Sequence, residues 1–169
     1  GCESMESSET RTRRVNQRQW FLQEVQACEP AMYRLAMSIL CNGEDAADAA
    51  QEAICIAYQK LHTLRQKERF KPWLLRILTN ECYNIIRQRQ RFTETESLPE
   101  PAAPGDLEQS TELWQAVCDL SEQLRAVVVL YYYEGFSARE ISGILRISEA
   151  NVKTRLHRAR KCLKQRLEE

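Results

Sequence analysis

Three of the five prolines in this 169-residue chain fall in one short stretch, "TETESLPEPAAPGD" (Thr93–Asp106), with a glycine and four acidic residues. Each proline fixes φ and removes a backbone donor, so neither a long helix nor a central strand fits there. The stretch is expected to be a flexible, extended acidic linker. It divides the chain into a lobe at 15–92 and a lobe at 107–169. Residues 1–14 read as a polar, mobile tail. Each lobe must then build its own modest core.

Both lobes carry helical periodicity. In "EPAMYRLAMSILCNG", Met32, Leu35, Ala36, Ile39 and Leu40 form one stripe, with Pro30 near the start and Gly43 past the end. Ala50, Ala53, Ile54, Ala57 and Leu61 share a face in the next segment. Leu74, Ile77, Leu78 and Ile85 do so in the third, and Leu124, Val127, Val128 and Tyr131 after the linker. The run "VVVLYYY" is locally ambiguous, and its flanks favour helix. The expected fold class is all-α: two small helical domains joined by the linker, the C-terminal one a helix-turn-helix.

That assignment comes from "FSAREISGILRISEANVKTRLHRARKCL". Ser137 and Glu140 have capping-box spacing, and Ile141, Ile144 and Leu145 point inward from a short helix. A brief turn follows at Arg146–Ile147, where such turns commonly carry Gly, and Ser148 caps a second helix. Val152, Leu156, Ala159 and Leu163 make its buried stripe. Lys153, Thr154, His157, Arg158 and Lys161 fall on the other side. A basic second helix of this kind suits the major groove, and a solvated basic face is the alternative.

The N-terminal lobe has two more polar faces. Asp45, Asp48 and Glu52 form an acidic stripe with Gln51 beside it. Favourable charge at a helix N-terminus explains Asp45 well and Glu52 poorly, which leaves room for a basic protein partner. In "RFKPWLLRILTNECYNIIRQRQRF", Arg76, Asn80, Tyr83 and Arg87 recur on one face with Asn84 adjacent, after Phe70 and Trp73. Rings stack on unpaired bases and amides read their edges, while the plainer account is a core Trp and a wet polar face.

Net charge is zero, yet residues 93–124 carry eight acids and no base, and residues 137–166 nine bases and two acids. The acidic block is expected to shield the basic faces in the free chain. Seven cysteines lie at 2, 28, 41, 55, 82, 118 and 162 with no C-x-x-C. They read as small apolar residues in a reducing cytoplasm, with no metal site and no cofactor expected. No membrane span or hydrophobic signal segment is visible, so no membrane insertion is expected. A Ser/His/Asp order and a Gly-rich phosphate loop are both missing, and the chain is not expected to be an enzyme.

These motifs, in this order around a linker, resemble the extracytoplasmic-function sigma factors of bacterial RNA polymerase over nearly all of residues 17–167. The resemblance implies a promoter-specificity subunit that binds core polymerase and directs promoter recognition, DNA melting and transcription initiation in the cytoplasm. Asp45, Asp48, Gln51 and Glu52 would contact the β′ clamp helices, and the C-terminal lobe the β flap. Phe70, Trp73, Arg76, Asn80, Asn84 and Arg87 would bind the −10 element, with the loop about Thr63–Arg69 and Asn80 holding a flipped base. Lys153, Thr154, Arg155, His157 and Arg158 would bind the −35 element. An anti-sigma factor is implied as a further partner. Ile54 stands where the family usually has Phe, and Arg146 where it usually has Gly. The alternative is a stand-alone helix-turn-helix regulator with an N-terminal sensing or dimerising lobe.

Overall fold

The structure is a computed structural model that describes residues 3–92 and 112–168. Its order is α1 (Glu3–Leu40), α2 (Gly43–Gln59), 3-10 turns at Leu61–Thr63 and Lys67–Arg69, then α3 (Phe70–Phe92). After the linker stretch, which lies outside the described residues, come α4 (Glu112–Cys118), α5 (Glu122–Val128), a π-helical turn (Val129–Tyr133), α6 (Ala138–Leu145) and α7 (Glu149–Leu167).

Helix α1 differs from the expectation at both ends of the argument. The segment read as a tail is helical from Glu3, and Pro30 lies inside the helix rather than at its start. Nothing between Glu3 and Glu29 breaks a helix, since Gly and Pro are both missing there. Pro30 costs one backbone hydrogen bond, and it sits on an exposed side where water can reach the freed carbonyl. Residues 8–19 are exposed, whereas Phe21, Val25, Cys28, Met32, Leu35 and Ile39 are buried.

Helices α1, α2 and α3 pack on one another as the N-terminal lobe. The buried face of α2 is alanine throughout: Ala46, Ala49, Ala53 and Ala57. Such small side chains let the flanking helices approach closely. In α3 the core is Phe70, Leu74, Leu75, Leu78, Thr79 and Cys82. Ile77 and Ile85, expected inward, are only half-buried because the stripe runs one residue round the helix from them.

In the C-terminal lobe α7 packs on α4, α5 and α6. The "VVVLYYY" stretch is helical, with Val127 to Leu130 buried and a π turn ending the helix before Gly135 at φ +75°. The lobes also touch. Helix α1 packs on α5 and the π turn, α3 packs on α6, and the buried residues form one continuous apolar cluster.

The alanine face yields a test. Ala53→Leu would force extra methylenes between α1, α2 and α3, at a cost of about 1–3 kcal/mol. Thermal unfolding should show a lower Tm, whereas the same change at exposed Ala27 should leave it within about 1 °C.

Candidate nucleic-acid and partner interfaces

The helix-turn-helix is built as its caps dictate. The Ser137 hydroxyl oxygen accepts from Glu140 N–H at 3.2 Å, and the Glu140 carboxylate accepts from Ser137 N–H at 2.9 Å. The Ser148 side chain accepts from Asn151 N–H at 3.0 Å to start α7. Between them Arg146 adopts a left-handed conformation, φ +56° and ψ +46°. The buried residues of α7 are Val152, Leu156, Ala159 and Leu163.

Opposite them Lys153, Thr154, His157 and Arg158 are exposed together on one face, and Arg155 is half-buried at its edge. The Arg155 guanidinium donates to Asn151 Oδ1 at 3.1 Å, and the Thr154 hydroxyl donates to the Ala150 carbonyl at 3.0 Å. Lys153 has an exposed pairing with Glu149 at 3.5 Å, which water screens to little value. His157 and Arg158 thus keep their donors toward solvent. The flank of α7 is tied differently. Arg160 donates to the Tyr132 hydroxyl at 2.6 Å and lies over the Tyr131 and Tyr132 rings, and Arg166 pairs with Asp119. Of the acidic block, Asp119 reaches the far end of α7 through Arg166, and the acids at 94–108 that carry most of the expected shielding lie outside the described residues.

In α2, Asp48, Gln51 and Glu52 are exposed. Asp45 is turned toward α3, where it pairs with Arg89, and Arg89 also donates to the Leu40 carbonyl at 3.4 Å. Asp45 therefore joins two helices, which leaves Asp48 and Glu52 as the exposed acids of the stripe. A cleft of about 640 Å³ runs between α2 and α3, with Asp48 and Glu52 on one wall and Asn84 and Arg87 on the other. The acidic stripe and the C-terminal part of the α3 face, Asn84 and Arg87, thus line one cleft.

At the head of α3, Phe70 is a correction. Its ring is buried, edge-on to Trp20 at 5.3 Å and Phe21 at 5.7 Å, so it is core and not a surface for a base. Trp73 is half-buried beside it, ring centroids 5.8 Å apart. Arg76 is exposed and Asn80 half-buried on the same side, followed by Asn84 and Arg87. The Asn84 carbonyl oxygen accepts from Arg87, which fixes the amide's orientation. Beside the 63–69 loop lies a second cleft of about 410 Å³, lined by Arg13, Asn16, Trp20, Leu61 and Lys67, with the Lys67 ammonium 5.0 Å from the Trp20 ring centre. Arg13 and Asn16 went unrecognised as cleft residues because Pro30 was read as near the start of the first helix, which left that helix too short to reach the loop.

The cysteines divide by position. Cys28 and Cys82 are core, and burial, with the Glu81 carboxylate second, pushes the Cys82 thiol up to about 12. Cys55 and Cys162 are exposed, so the apolar-filling reading does not extend to them. Among the described residues no cluster of His, Cys, Asp and Glu could hold a metal, and no helix is long and apolar enough to cross a membrane.

Two helical lobes, the second a helix-turn-helix with a basic exposed face, are the construction of a DNA-binding class of fold, and comparison with known proteins gives it its family. The sigma-70 region 2 family model matches residues 25–92, and the sigma-70 region 4 model residues 110–163. The ECF RNA polymerase sigma factor SigW of Bacillus subtilis (strain 168) is 34% identical over 155 residues, 80% of this chain and 82% of that one. SigV of the same organism is 32% identical over 136 residues, covering 78% and 81%. The sigma factor RpoE from Bartonella quintana, solved in complex with the anti-sigma factor NepR, superposes with a TM-score of 0.72 at 27% identity over 88% of this chain and 96% of that one. CnrH, solved with the cytosolic domain of CnrY, shares the fold at a TM-score of 0.62. This chain belongs to the extracytoplasmic-function sigma factors of RNA polymerase. It acts with core polymerase on promoter DNA in promoter-specific transcription initiation, which sets aside the stand-alone regulator.

The turn of the helix-turn-helix carries its own test. A left-handed residue with a Cβ costs about 1–2 kcal/mol, and glycine gives back roughly 0.5–1 kcal/mol through the freer unfolded chain. Arg146→Gly should therefore raise stability by up to about 1 kcal/mol, read as a Tm gain of about 2–4 °C. A lower Tm would mean that the Arg146 side chain earns its place through a contact.

Proposed function

We propose that the three polar faces divide the work of initiation among them. The α2 face (Asp48, Gln51 and Glu52, with Asp45 bracing it against α3) docks on the β′ clamp helices of core polymerase. The α3 face (Trp73, Arg76, Asn80, Asn84 and Arg87) engages the −10 element, with the cleft at the 63–69 loop beside it. The α7 face (Lys153, Thr154, His157 and Arg158, with Arg155 at its edge) enters the major groove of the −35 element, and the C-terminal lobe sits on the β flap. The functional units are 15–92 and 107–169, with 93–106 as the linker between them. The chain works as a non-catalytic subunit in the cytoplasm and has an anti-sigma factor as a partner. The likeness to RpoE, solved with NepR, supports the last point.

The observation that carries this reading is the division of α7 into a buried apolar stripe and an exposed face of Lys153, Thr154, His157 and Arg158. A helix so divided can rest on its lobe and still present donors to base edges. The adjacency of the α2 and α3 walls supports the rest. It would hold a protein partner and the DNA strand on two sides of one groove.

Arg158→Ala should cost about 1–3 kcal/mol of promoter binding by the holoenzyme and relax preference at one base position of the −35 element. Run-off transcription on a library of upstream sequences reads both effects. A uniform loss on all promoters would make Arg158 a phosphate contact instead.

Reversing Asp48 and Glu52 to Lys together should weaken core binding by roughly 2–5 kcal/mol if the pairs are buried against the clamp, and less at its rim. Helicity should be unchanged, and a titration with core polymerase is the measurement. Undiminished affinity would remove the α2 face from the interface.

A further inference from the structure

The cleft of about 410 Å³ beside the 63–69 loop has α1 as one wall. Arg13, Asn16, Gln17 and Trp20 line it at i, i+3, i+4 and i+7, which is one face of the helix. The loop side supplies Leu61, Leu64 and Lys67. Among the described residues none from α3 lines it, so Asn80 and the rest of the α3 face lie outside this cleft. The sigma-70 region 2 match begins at residue 25, ahead of which the whole α1 wall falls. No role for that wall therefore follows from the family match.

The surroundings are strongly basic. Residues 11–18 carry four arginines and no acid, and residues 63–69 three bases and one acid. All seven cations are exposed. Among the described residues none of them is held in an ion pair, whereas Arg34 and Lys71 grip Glu134 and Arg89 grips Asp45. Lys67 is steadied instead by the Trp20 ring, whose centre lies 5.0 Å from its ammonium. Unpaired like charges gathered on two facing walls repel one another, and an anion between them relieves the repulsion.

Charge alone would suit any anion, and the rest of the lining narrows the choice. Leu61 and Leu64 offer an apolar surface to a flat ring. The Asn16 and Gln17 amides each carry donors and an acceptor, which is what a base edge needs. Arg13 and Lys67 supply the charge for a phosphate. The volume is that of a small-molecule site. A ring, a polar edge and a phosphate together make a nucleotide, and only an unpaired one leaves its base free to enter a cleft.

We propose that this cleft is a second single-strand site, which takes one unpaired nucleotide of the melted promoter, with Asn16 reading the base edge and Arg13 holding the phosphate. This rests on the assignment of the α3 face to the −10 element, which brings unpaired strand to the neighbouring loop. The α1 wall then adds a base position to those read from α3.

The test uses holoenzyme assembled with the full chain. The probe is the strongest promoter from a library of upstream sequences, made as fork junctions with one strand or the other unpaired across the −10 element. Arg13→Ala should weaken binding to one of the two forks about tenfold and lower the slope of log affinity against log salt by about 0.7. Asn16→Ala should weaken the same fork about fivefold and erase the preference at one unpaired position. An abasic site at that position should weaken the wild type similarly and leave Asn16→Ala with no further effect. Arg14→Ala removes a charge from the same turn without lining the cleft, and should stay within about twofold of wild type. Arg13, Arg14 and Asn16 are all exposed, so the helix should be kept, and circular dichroism checks it. Asn80→Ala separates the two ways of failing. If it weakens the fork while Arg13→Ala and Asn16→Ala do no more than Arg14→Ala, the cleft is overturned and the −10 assignment stands. If Asn16→Ala acts only on the base-bearing fork and Asn80→Ala does nothing, the cleft stands and the assignment of Asn80 falls. A loss with Arg13→Ala but no base-dependent loss with Asn16→Ala would overturn the nucleotide site, and no loss with any variant would overturn both.

Discussion

The fold depends on the last three turns of α1, residues 31–40, being buried on nearly every side. An amphipathic helix serves one core, but Phe21 to Leu40 serve two. One side of the helix packs on α2 and α3, the other on α5 and the π turn. Ala31, Met32, Leu35, Ala36, Met37, Ser38, Ile39 and Leu40 are all buried, and Ser38 is tolerated because its hydroxyl donates to the Leu35 carbonyl at 2.6 Å. Everything placed downstream is placed relative to this rod: the acidic α2 face, the polar α3 face and, through α5, the helix-turn-helix.

How much of this could be read from the chain depended on whether the determining interactions were local. Capping is local, so Ser137, Glu140 and Ser148 marked their helix starts correctly, and the stripe Val152, Leu156, Ala159 and Leu163 was readable from spacing alone. Burial set by a partner helix is not local. Phe70 has the look of a stacking platform beside Trp73, and only the arrival of Trp20 and Phe21 makes it core. Pro30 reads as a boundary because a proline usually is one, and the tertiary support that carries α1 through it leaves no mark in the neighbouring residues. Glu134 was illegible for the same reason, since its partners lie 100 and 63 residues away. The faces of α2, α3 and α7 could be listed one by one, but nothing in their spacing said that two of them would be walls of a single groove.

The charged residues sort by what they touch. Asp45, Glu134, Arg34, Lys71, Arg89 and Arg160 are committed to other parts of the chain. Asp48, Glu52, Arg76, His157 and Arg158 are exposed at the faces assigned to partners. Asp45 and Asp48 lie one turn apart on α2, and Arg158 and Arg160 lie close together on α7, so local charge alone does not separate structure from recognition.

The π turn at Val129–Tyr133 has a consequence for how the lobes are aimed. A π turn holds one residue more than an α turn would, so the chain beyond it is rotated by about 100° from where an unbroken helix would carry it. Three successive tyrosines record that rotation: Tyr133 meets Trp114 inside the lobe, while Tyr131 and Tyr132 meet Arg160 on α7. Glu134 and then α6 follow directly. This one extra residue is thus a phase setting: it fixes the azimuth at which the tyrosines leave the helix and divides them between the lobe's core and α7. Loss of a residue here would change which tyrosine faces Trp114 and which faces Arg160, and with that the seating of α7 on its own lobe.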